Sequence, residues 1–388
     1  FLWCALQSLA AKKKLFSLLM TTVLFTAVLA GCGDSSAPAA SAPQPETDGE
    51  IANGADTETG DGSGGDLFDV AGYKSDKDKS EWTIAVITKD NTAAWFKRME
   101  TGVNEFGEET GINVIQRGPA NADAASQVEV VDNMIDQGVD AICIVPIDPG
   151  ALEASLQRAM EQGIVVISHE ASNLENTLFD TEAFTADDFG AAIMDSLAKD
   201  MGEEGKYAIM VAYTTSTTHM EYANAQYNRQ QEAYPNMELV NGGAIPTCES
   251  EESLDTSYER AKEVLKANPD IKGFTGVAST DCPGIAKAVE ELGLDVKVVG
   301  VGTPNEFKPY VESGTITQVK LWDPKVSGYV MCKLASDILA GVEIGDGNGY
   351  NAGVEGYENM VLSNGVNRCL LGKADITLTS ENINDYDF

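Results

Sequence analysis

The stretch VDAICIVPIDPGALEASLQRAMEQGIVVISHE, residues 139–170, decides the fold of this chain. Residues 141–145 form an unbroken apolar run, which is typical of a strand buried on both faces, as in a parallel sheet. Asp148 is a good helix N-cap, and Pro149 suits the first helical position, where no N–H partner is needed. Apolar residues then recur at helical spacing up to Gly163, which is placed to end the helix.

A second apolar run, residues 164–167, follows that helix and predicts another strand. Strand, helix and strand at this spacing form a right-handed βαβ unit. The second strand is followed by Ser168, His169 and Glu170. Ligands of open α/β sheets bind beyond the carboxyl ends of the strands, so these polar residues are expected at a binding site.

Strands and helices alternate in two consecutive series along the chain, with no long linker between them. This pattern predicts an α/β fold of two doubly wound parallel-sheet lobes with a ligand cleft between them. The chain is expected to cross between lobes near residues 178–184, near residues 320–322 and again after Gly341, which makes a multi-crossing hinge. The predicted first lobe is 81–182 with 322–344, and the second is 183–321 with 345–388.

The first 80 residues have a different character. Lys12, Lys13 and Lys14 precede an apolar run that is short for a membrane span, as in a secretory signal. Residues 29–32, LAGC, resemble the bacterial lipobox, which implies cleavage before Cys32 and lipidation of its thiol; a plain signal peptide that contains a cysteine is the alternative. Residues 1–31 are thus an upstream extension and a signal peptide, and residues 32–80, rich in small and acidic residues, a disordered acidic tether.

Composition excludes several classes of function. The formal net charge of −35 argues against nucleic-acid binding, which needs basic patches. With two histidines, His169 and His219, and no zinc-like cysteine spacing, no transition-metal site is expected. Residues 346–349, DGNG, hint at a calcium loop, but Tyr350 stands where an oxygen ligand is required. We expect no cofactor.

Three segments resemble a known family: GVDAICIVPIDPGALEASLQRAMEQGIVVIS (138–168), VGVGTPNEFKPYVESGTITQVKLWDPKVSGYV (299–330) and ENINDYDF (381–388). They look like the bacterial type I periplasmic sugar-binding proteins, and most like the branch that binds rhamnose or autoinducer-2. The resemblance covers residues 82–388. It implies two lobes that close on one small polyol-like ligand, and an ABC importer as the partner.

The resemblance, together with position after strand ends, selects the candidate ligand residues. They are Lys89, Trp95, Phe96, His169, Glu170, Glu221, Ser279, Thr280, Asp281, Trp322 and Asp323. His169 and Glu170 stand where the branch commonly has Trp-Asp. Met220 and Glu221 replace an Asp-Gln pair of the autoinducer-2 binders, which leaves the ligand open between rhamnose, another simple sugar and autoinducer-2.

Simpler explanations exist for some of these candidates. Lys89 alone could be a surface lysine, Trp95 could belong to the core, and Asp281 and Asp323 could be helix N-caps. For a sugar site, carboxylates would accept hydroxyl hydrogen bonds, and aromatic rings would cover the C–H face of the ring.

The leading hypothesis is a monomeric, lipid-anchored binding protein on the outer face of the cytoplasmic membrane that delivers a monosaccharide-like ligand to an ABC permease. A sensory protein on the same fold is the alternative. A secreted enzyme is disfavoured because the chain has no G-x-S-x-G elbow and no histidine plainly paired with a nucleophile. A transcription regulator would need a basic helix-turn-helix where the acidic tether stands.

Overall fold

A computed structural model describes residues 68–344, 349–363 and 368–388. These residues lie within one compact unit, Gly62–Phe388. They form two largely parallel sheets connected by helices. The predicted α/β fold with two parallel-sheet lobes is confirmed.

The first sheet has the strand order β12-β13-β5-β4-β3-β1-β2. Its strands are β1 (Thr83–Ile87), β2 (Asn113–Arg117), β3 (Ala141–Ile144), β4 (Val165–Ser168), β5 (Phe179–Glu182), β12 (Val361–Leu362) and β13 (Leu370–Leu371). Its helices are α1 (Ala94–Thr110), α2 (Ala124–Asp136), α3 (Pro149–Glu161) and α9 (Pro324–Leu339). All residues of β3 and β4 are buried, as the apolar runs predicted. The Asp148 carboxylate accepts the Ala151 N–H and caps α3.

The second sheet has the order β14-β11-β10-β9-β6-β7, with β8 also paired to β6. Its strands are β6 (Gly205–Val211), β7 (Met237–Leu239), β8 (Cys248–Glu249), β9 (Ile271–Gly276), β10 (Lys297–Val301), β11 (Ile316–Leu321) and β14 (Ile376–Leu378). Its helices are α4 (Ala186–Met201), α5 (Thr217–Ala233), α6 (Leu254–Ala267), α7 (Asp281–Leu292) and α8 (Pro304–Ser313). Only β14 pairs antiparallel, against β11, among the described strands of this sheet.

The chain passes between the two sheets at three places. The first lies between β5 and α4, the second between β11 and α9, and the third between β13 and β14. From the sequence, the third crossing is expected after Gly341, with residues 345–388 in the second lobe. The structure differs there, because β13 pairs with β5 and β12 pairs with β13, so both extend the first sheet. These strands have two residues each, too few for a periodic pattern in the sequence.

The folded part begins before Trp82. Residues Val70–Tyr73 and Lys79–Glu81 form two short 3-10 turns. Tyr73 is buried, and the Ser75 N–H donates to the Leu339 carbonyl at the end of α9. The expected tether, 32–80, therefore overlaps the first lobe at its carboxyl end. The rest of that tether, the signal segment 1–31 and Cys32 lie outside the described residues.

The described part of the chain contains no helix that combines the length and the apolar character needed to cross a bilayer.

Candidate functional site

A small cavity lies between the carboxyl ends of strands from both sheets, where parallel-sheet folds place their ligands. Its lining residues come from the first lobe and the hinge (Lys89, Trp95, Phe96, Glu170 and Trp322) and from the second lobe (His219, Glu252, Val277, Ala278, Ser279 and Val301). The cavity measures about 20 Å³, which is room for roughly one water molecule. Small-molecule sites usually offer about 300–1,000 Å³, so the two lobes stand closed on each other.

Lys89 is the centre of this cavity. It follows β1 and is 2% exposed. Its ammonium lies 2.7 Å from Glu170 Oε2, 3.4 Å from His219 Nε2 and 3.8 Å from Glu252 Oε1. Glu170 follows β4 of the first lobe, whereas His219 and Glu252 belong to the second lobe. One buried cation therefore links the two lobes.

Lys89, Glu170, Glu252 and His219 differ in protonation state, because burial and the neighbouring charges shift the pKa of each group to a different extent. Burial lowers the pKa of Lys89, but the carboxylates of Glu170 and Glu252 outweigh it and the pKa is raised. Burial raises the pKa of Glu170, but Lys89 and the nearby imidazoles outweigh it and lower that pKa to about 2. Burial raises the pKa of Glu252 to about 7, with Lys89 opposing. Burial and Lys89 together lower the pKa of His219 to about 3.

At neutral pH, Lys89 is thus charged, Glu170 is ionised, His219 is neutral and Glu252 is close to half-protonated. Lysine has donors only, so Nε2 of His219 accepts from Lys89 and its Nδ1 carries the proton.

Both cavity carboxylates sit on strained backbone. Glu170 has φ 58° and Glu252 has φ 52°, in the left-handed region that residues with a Cβ adopt rarely. Such conformations cost on the order of 1–3 kcal/mol and cluster at functional sites. Glu170 lies two residues after β4 and Glu252 three residues after β8, and each carboxylate faces Lys89.

Trp95, Phe96 and Trp322 form the aromatic wall of the cavity, and a hydrogen bond from Trp322 to His169 fixes the orientation of Trp322. Trp322 packs edge-on against Trp95, with ring centroids 4.8 Å apart. The Trp322 indole N–H donates to His169 Nε2 at 3.1 Å, and His169 Nδ1 lies 2.5 Å from the Thr181 carbonyl oxygen. Both ring nitrogens of His169 are therefore engaged by protein, with the proton on Nδ1. Predicted as a ligand residue, His169 lies outside the cavity lining and orients Trp322.

The three predicted second-lobe candidates that follow β9 differ in whether they reach the cavity. Ser279 lines the cavity, and Thr280 is the N-cap residue of α7, outside the lining. The Asp281 carboxylate is fully buried and accepts from the Ser250 hydroxyl at 2.6 Å and from the N–H groups of Val277 and Ala278. It shapes the loop that carries Val277 to Ser279. Burial, opposed by these hydrogen bonds, raises its pKa to about 6.

Asp323 and Glu221 also lie outside the cavity. Asp323 caps α9 and accepts two hydrogen bonds from the Arg98 guanidinium, at 2.9 and 2.6 Å. Glu221 accepts from the Ser172 hydroxyl and lines a separate cavity of about 490 Å³. Residues two apart on a helix point about 200° apart, so α5 can turn His219 or Glu221 into the cleft, but not both. The structure turns His219 inward.

His219 and Glu252 are the polar cavity residues absent from the predicted set. His219 lies in the first turn of α5, and its spacing from β6 was available in the sequence. Glu252 follows β8, a two-residue strand without a periodic signal.

The cavity combines acceptors from both sides of a cleft with one ammonium and with aromatic rings from the first lobe and the hinge. Charge-assisted hydrogen bonds from hydroxyls to carboxylates are strong, and aromatic faces suit the apolar face of a sugar ring. The described lining residues include Ser279 as the one hydroxyl nucleophile candidate, and neither His219 nor Glu170 is hydrogen-bonded to it in the structure. The arrangement is suited to binding.

Comparisons with known proteins agree with this geometry. A model of the periplasmic binding protein domain matches residues 84–343. The D-ribose/D-allose-binding protein of Pseudomonas aeruginosa is 25% identical over 259 residues, which cover 60% of this chain and 74% of that protein. The sequence resemblance to this family is thereby confirmed.

Two solved structures show the same fold. LsrB from Clostridium saccharobutylicum, in complex with AI-2, matches with a TM-score of 0.71 and 24% identity, over 79% of this chain and 100% of that chain. An ABC transporter solute binding protein from Clostridium phytofermentas with bound L-rhamnose matches with a TM-score of 0.73 and 23% identity, over 79% and 98% of the two chains.

Proposed function

We propose, since the chain belongs to the periplasmic binding protein domain family, that it is an extracytoplasmic substrate-binding protein that captures a sugar-like ligand between its two lobes. The observation that carries this proposal is the cluster around Lys89, in which one buried ammonium meets Glu170 of one lobe and His219 and Glu252 of the other. A ligand that replaces these contacts would touch both lobes at once.

Lobe closure supplies the mechanism of capture. A cavity of about 20 Å³ admits no sugar, so the ligand has to enter while the lobes are apart. Among the described residues, the moving bodies would be 69–182 with 322–344, 349–363 and 368–371, and 186–321 with 376–388, joined by the three crossings. A ligand that contacts both bodies favours the closed state, because only closure brings both sets of contacts together.

The proposed ligand is a neutral monosaccharide or a compound of similar shape. The relatives named above bind or are named for D-ribose, D-allose, L-rhamnose and AI-2. In this chain, Glu170 and Glu252 would accept sugar hydroxyls, and Trp95, Phe96 and Trp322 would pack on the ring.

Delivery and anchoring complete the proposal. The closed protein would present its ligand to the permease of an ABC importer. Cys32, which lies outside the described residues, would carry the lipid that holds a monomeric protein at the outer face of the cytoplasmic membrane. The acidic segment before residue 68 would act as the tether.

The experiment is a thermal-shift screen with L-rhamnose, D-ribose, D-allose, other pentoses and hexoses, and autoinducer-2, because a ligand that binds the native state raises the melting temperature. Calorimetry on Glu170→Gln follows with the best ligand. Loss of a charge-assisted acceptor in a dry site should cost about 1–3 kcal/mol, or roughly ten- to hundredfold in affinity.

Glu175→Gln, at an exposed position on the same segment, is the matched control and should bind as the parent does. No shift with any sugar, or a Glu170→Gln affinity within about twofold of the parent with an intact fold by circular dichroism, would contradict the proposal.

A further inference from the structure

Glu252 is a buried acceptor without a hydrogen-bond donor. Its side chain is 7% exposed, and it lines the cavity. Its nearest charged partner is the Lys89 ammonium at 3.8 Å, which is an ion-pair distance beyond hydrogen-bond range. Among the described residues, no N–H or O–H group donates to its carboxylate. Buried polar groups are normally satisfied, so this one calls for an explanation.

The charged groups that face Glu252 come from several elements. They are Lys89 and Asp90 after β1, Glu170 after β4, the titratable Tyr213 after β6, and Asp281 at the start of α7. Lys89 gives its short hydrogen bond to Glu170, at 2.7 Å, and Asp90 is engaged by the N–H groups of Thr92 and Ala93. Glu252 is therefore the acceptor that the protein leaves over for a ligand.

The surroundings also select the class of donor. A ligand ammonium at Glu252 would sit beside the Lys89 ammonium, and like charges in a dry site repel strongly. A ligand carboxylate or phosphate would face Glu170 and Glu252. Two neutral hydroxyls are repelled neither by the Lys89 ammonium nor by the two carboxylates. The two oxygens of one carboxylate can accept hydrogen bonds from both hydroxyls at once.

We propose that Glu252 is a specificity-determining residue that binds two adjacent hydroxyls of a neutral sugar from the second-lobe side of the cleft. This inference rests on the proposed function and names the part of the ligand that the second lobe recognises. The left-handed backbone at Glu252 holds the carboxylate in position for this contact.

Ligand binding should then release a proton. The Glu252 pKa of about 7 means that about half of the molecules carry a carboxyl proton at pH 7. Two hydroxyl hydrogen bonds to the carboxylate favour its ionised form. The proton leaves a Glu252 oxygen and is taken up by the buffer base, while the sugar keeps its own protons.

The test is isothermal calorimetry at pH 7 in phosphate and in Tris, which differ in ionisation enthalpy, with the neutral sugar that gives the largest thermal shift. The parent protein should release a measurable fraction of a proton per sugar bound, and its affinity should rise between pH 6 and pH 8. Glu252→Gln should bind at least about tenfold more weakly, release almost no proton and lose that pH dependence.

Glu251→Gln is the matched control. Glu251 is exposed and shares the left-handed backbone, so its variant should keep the parent's affinity and proton release. A deoxy analogue of the same sugar, which lacks one of the adjacent hydroxyls, should lose at least about fivefold in affinity for the parent and much less for Glu252→Gln, as coupled partners do in a double-mutant cycle.

The outcomes separate the two proposals. No sugar binding by the parent protein overturns the proposed function and this inference with it. Sugar binding that is unchanged in Glu252→Gln, with the same proton release, overturns this inference alone. An amino derivative of that sugar, with one hydroxyl replaced by an ammonium, is measured as well. If it binds the parent protein more tightly than the neutral sugar does, this inference is overturned, because Glu252 then selects a cation.

Discussion

Lys89 of the first lobe and Glu252 of the second face each other across the cleft, with 3.8 Å between Nζ and Oε1. Lys89 also holds Glu170 of its own lobe at 2.7 Å. Lys89 is therefore bound more closely by its own lobe than by the second lobe. In the proposed opening of the cleft, the longer contact with Glu252 would be the one that breaks.

Removing that lysine should destabilise the protein. Lys89→Met leaves the buried Glu170 carboxylate without its cation, and loss of one partner of a buried ion pair costs about 3–5 kcal/mol. Urea unfolding followed by circular dichroism measures the change. Lys77→Met removes the Lys77–Asp140 pair, whose lysine side chain is 53% exposed, and should cost less than about 1 kcal/mol. Equal losses in the two variants would mean that the buried Lys89 ion pair stabilises the protein no more than the exposed Lys77 pair does.

The two cavity carboxylates should give opposite pH dependences of stability. The pKa of Glu252 rises from 4.5 to about 7 on folding, so its contribution to the free energy of unfolding is full below about pH 4.5 and is lost as the pH rises toward 7. The pKa of Glu170 falls from 4.5 to about 2, so its contribution is present above pH 4.5 and is lost as the pH falls toward 2.

Urea unfolding at several pH values measures both effects. Relative to Glu252→Gln, the parent should lose at most about 3 kcal/mol between pH 4.5 and 7. Relative to Glu170→Gln, the parent should lose stability between pH 4.5 and 2. A difference from either variant that stays constant across its range would contradict the assigned protonation state.

Trp322→Phe separates the role of the indole N–H from that of the ring. The variant keeps most of the aromatic wall but leaves His169 Nε2, on a side chain 1% exposed, without its donor. An unsatisfied buried acceptor costs about 1–3 kcal/mol, and the ring is freed to turn, so both stability and sugar affinity should fall.

Trp82→Phe removes a comparable indole hydrogen bond, to Ser75, far from the cleft. It should lower stability but leave affinity unchanged; a similar loss of affinity in both variants would argue against a role for Trp322 at the ligand.

The lipid anchor is tested at Cys32. Cys32→Ser removes the thiol that would be acylated, so the protein should leave the membrane fraction or accumulate unprocessed. Cell fractionation and electrophoretic mobility measure this. Ser35→Ala, in the same segment, is the control and should stay membrane-bound. A Cys32→Ser variant that is processed and retained as the parent is would rule out the lipoprotein proposal.

Sequence reasoning predicted the parts of this fold that have strong local signals. Residues 141–144 are apolar without interruption and form a buried strand, and Asp148 with Pro149 starts the helix after it. The cavity residues Lys89 and Glu170 were selected by the family resemblance together with their position, since each comes two residues after a central strand. Topology alone brings such positions to one edge of the sheet.

The roles of the other residues at the site depend on tertiary contacts, which no local sequence pattern encodes. Asp281 stands where a ligand residue is expected, but three donors of its own lobe occupy its carboxylate. His169 follows a strand end as Glu170 does, yet Trp322 and Thr181 engage both of its nitrogens. Glu252 depends on a two-residue strand and an unusual backbone angle, which the identity of the residue does not reveal.

The order in which strands join the first sheet has a consequence for biogenesis. Its last strand in the sequence, Leu370–Leu371, pairs with Phe179–Glu182 only after the whole second sheet except β14 has been synthesised. The first lobe therefore cannot be finished as the chain emerges from the ribosome until residue 371 is available. Non-local pairings of this kind form slowly, because the entropy cost of closing a long loop comes before the stabilising contacts are made. For an extracytoplasmic protein of the kind proposed, which would cross the membrane as an unfolded chain, that delay would be an advantage, since it would keep most of the polypeptide unfolded until translocation is complete.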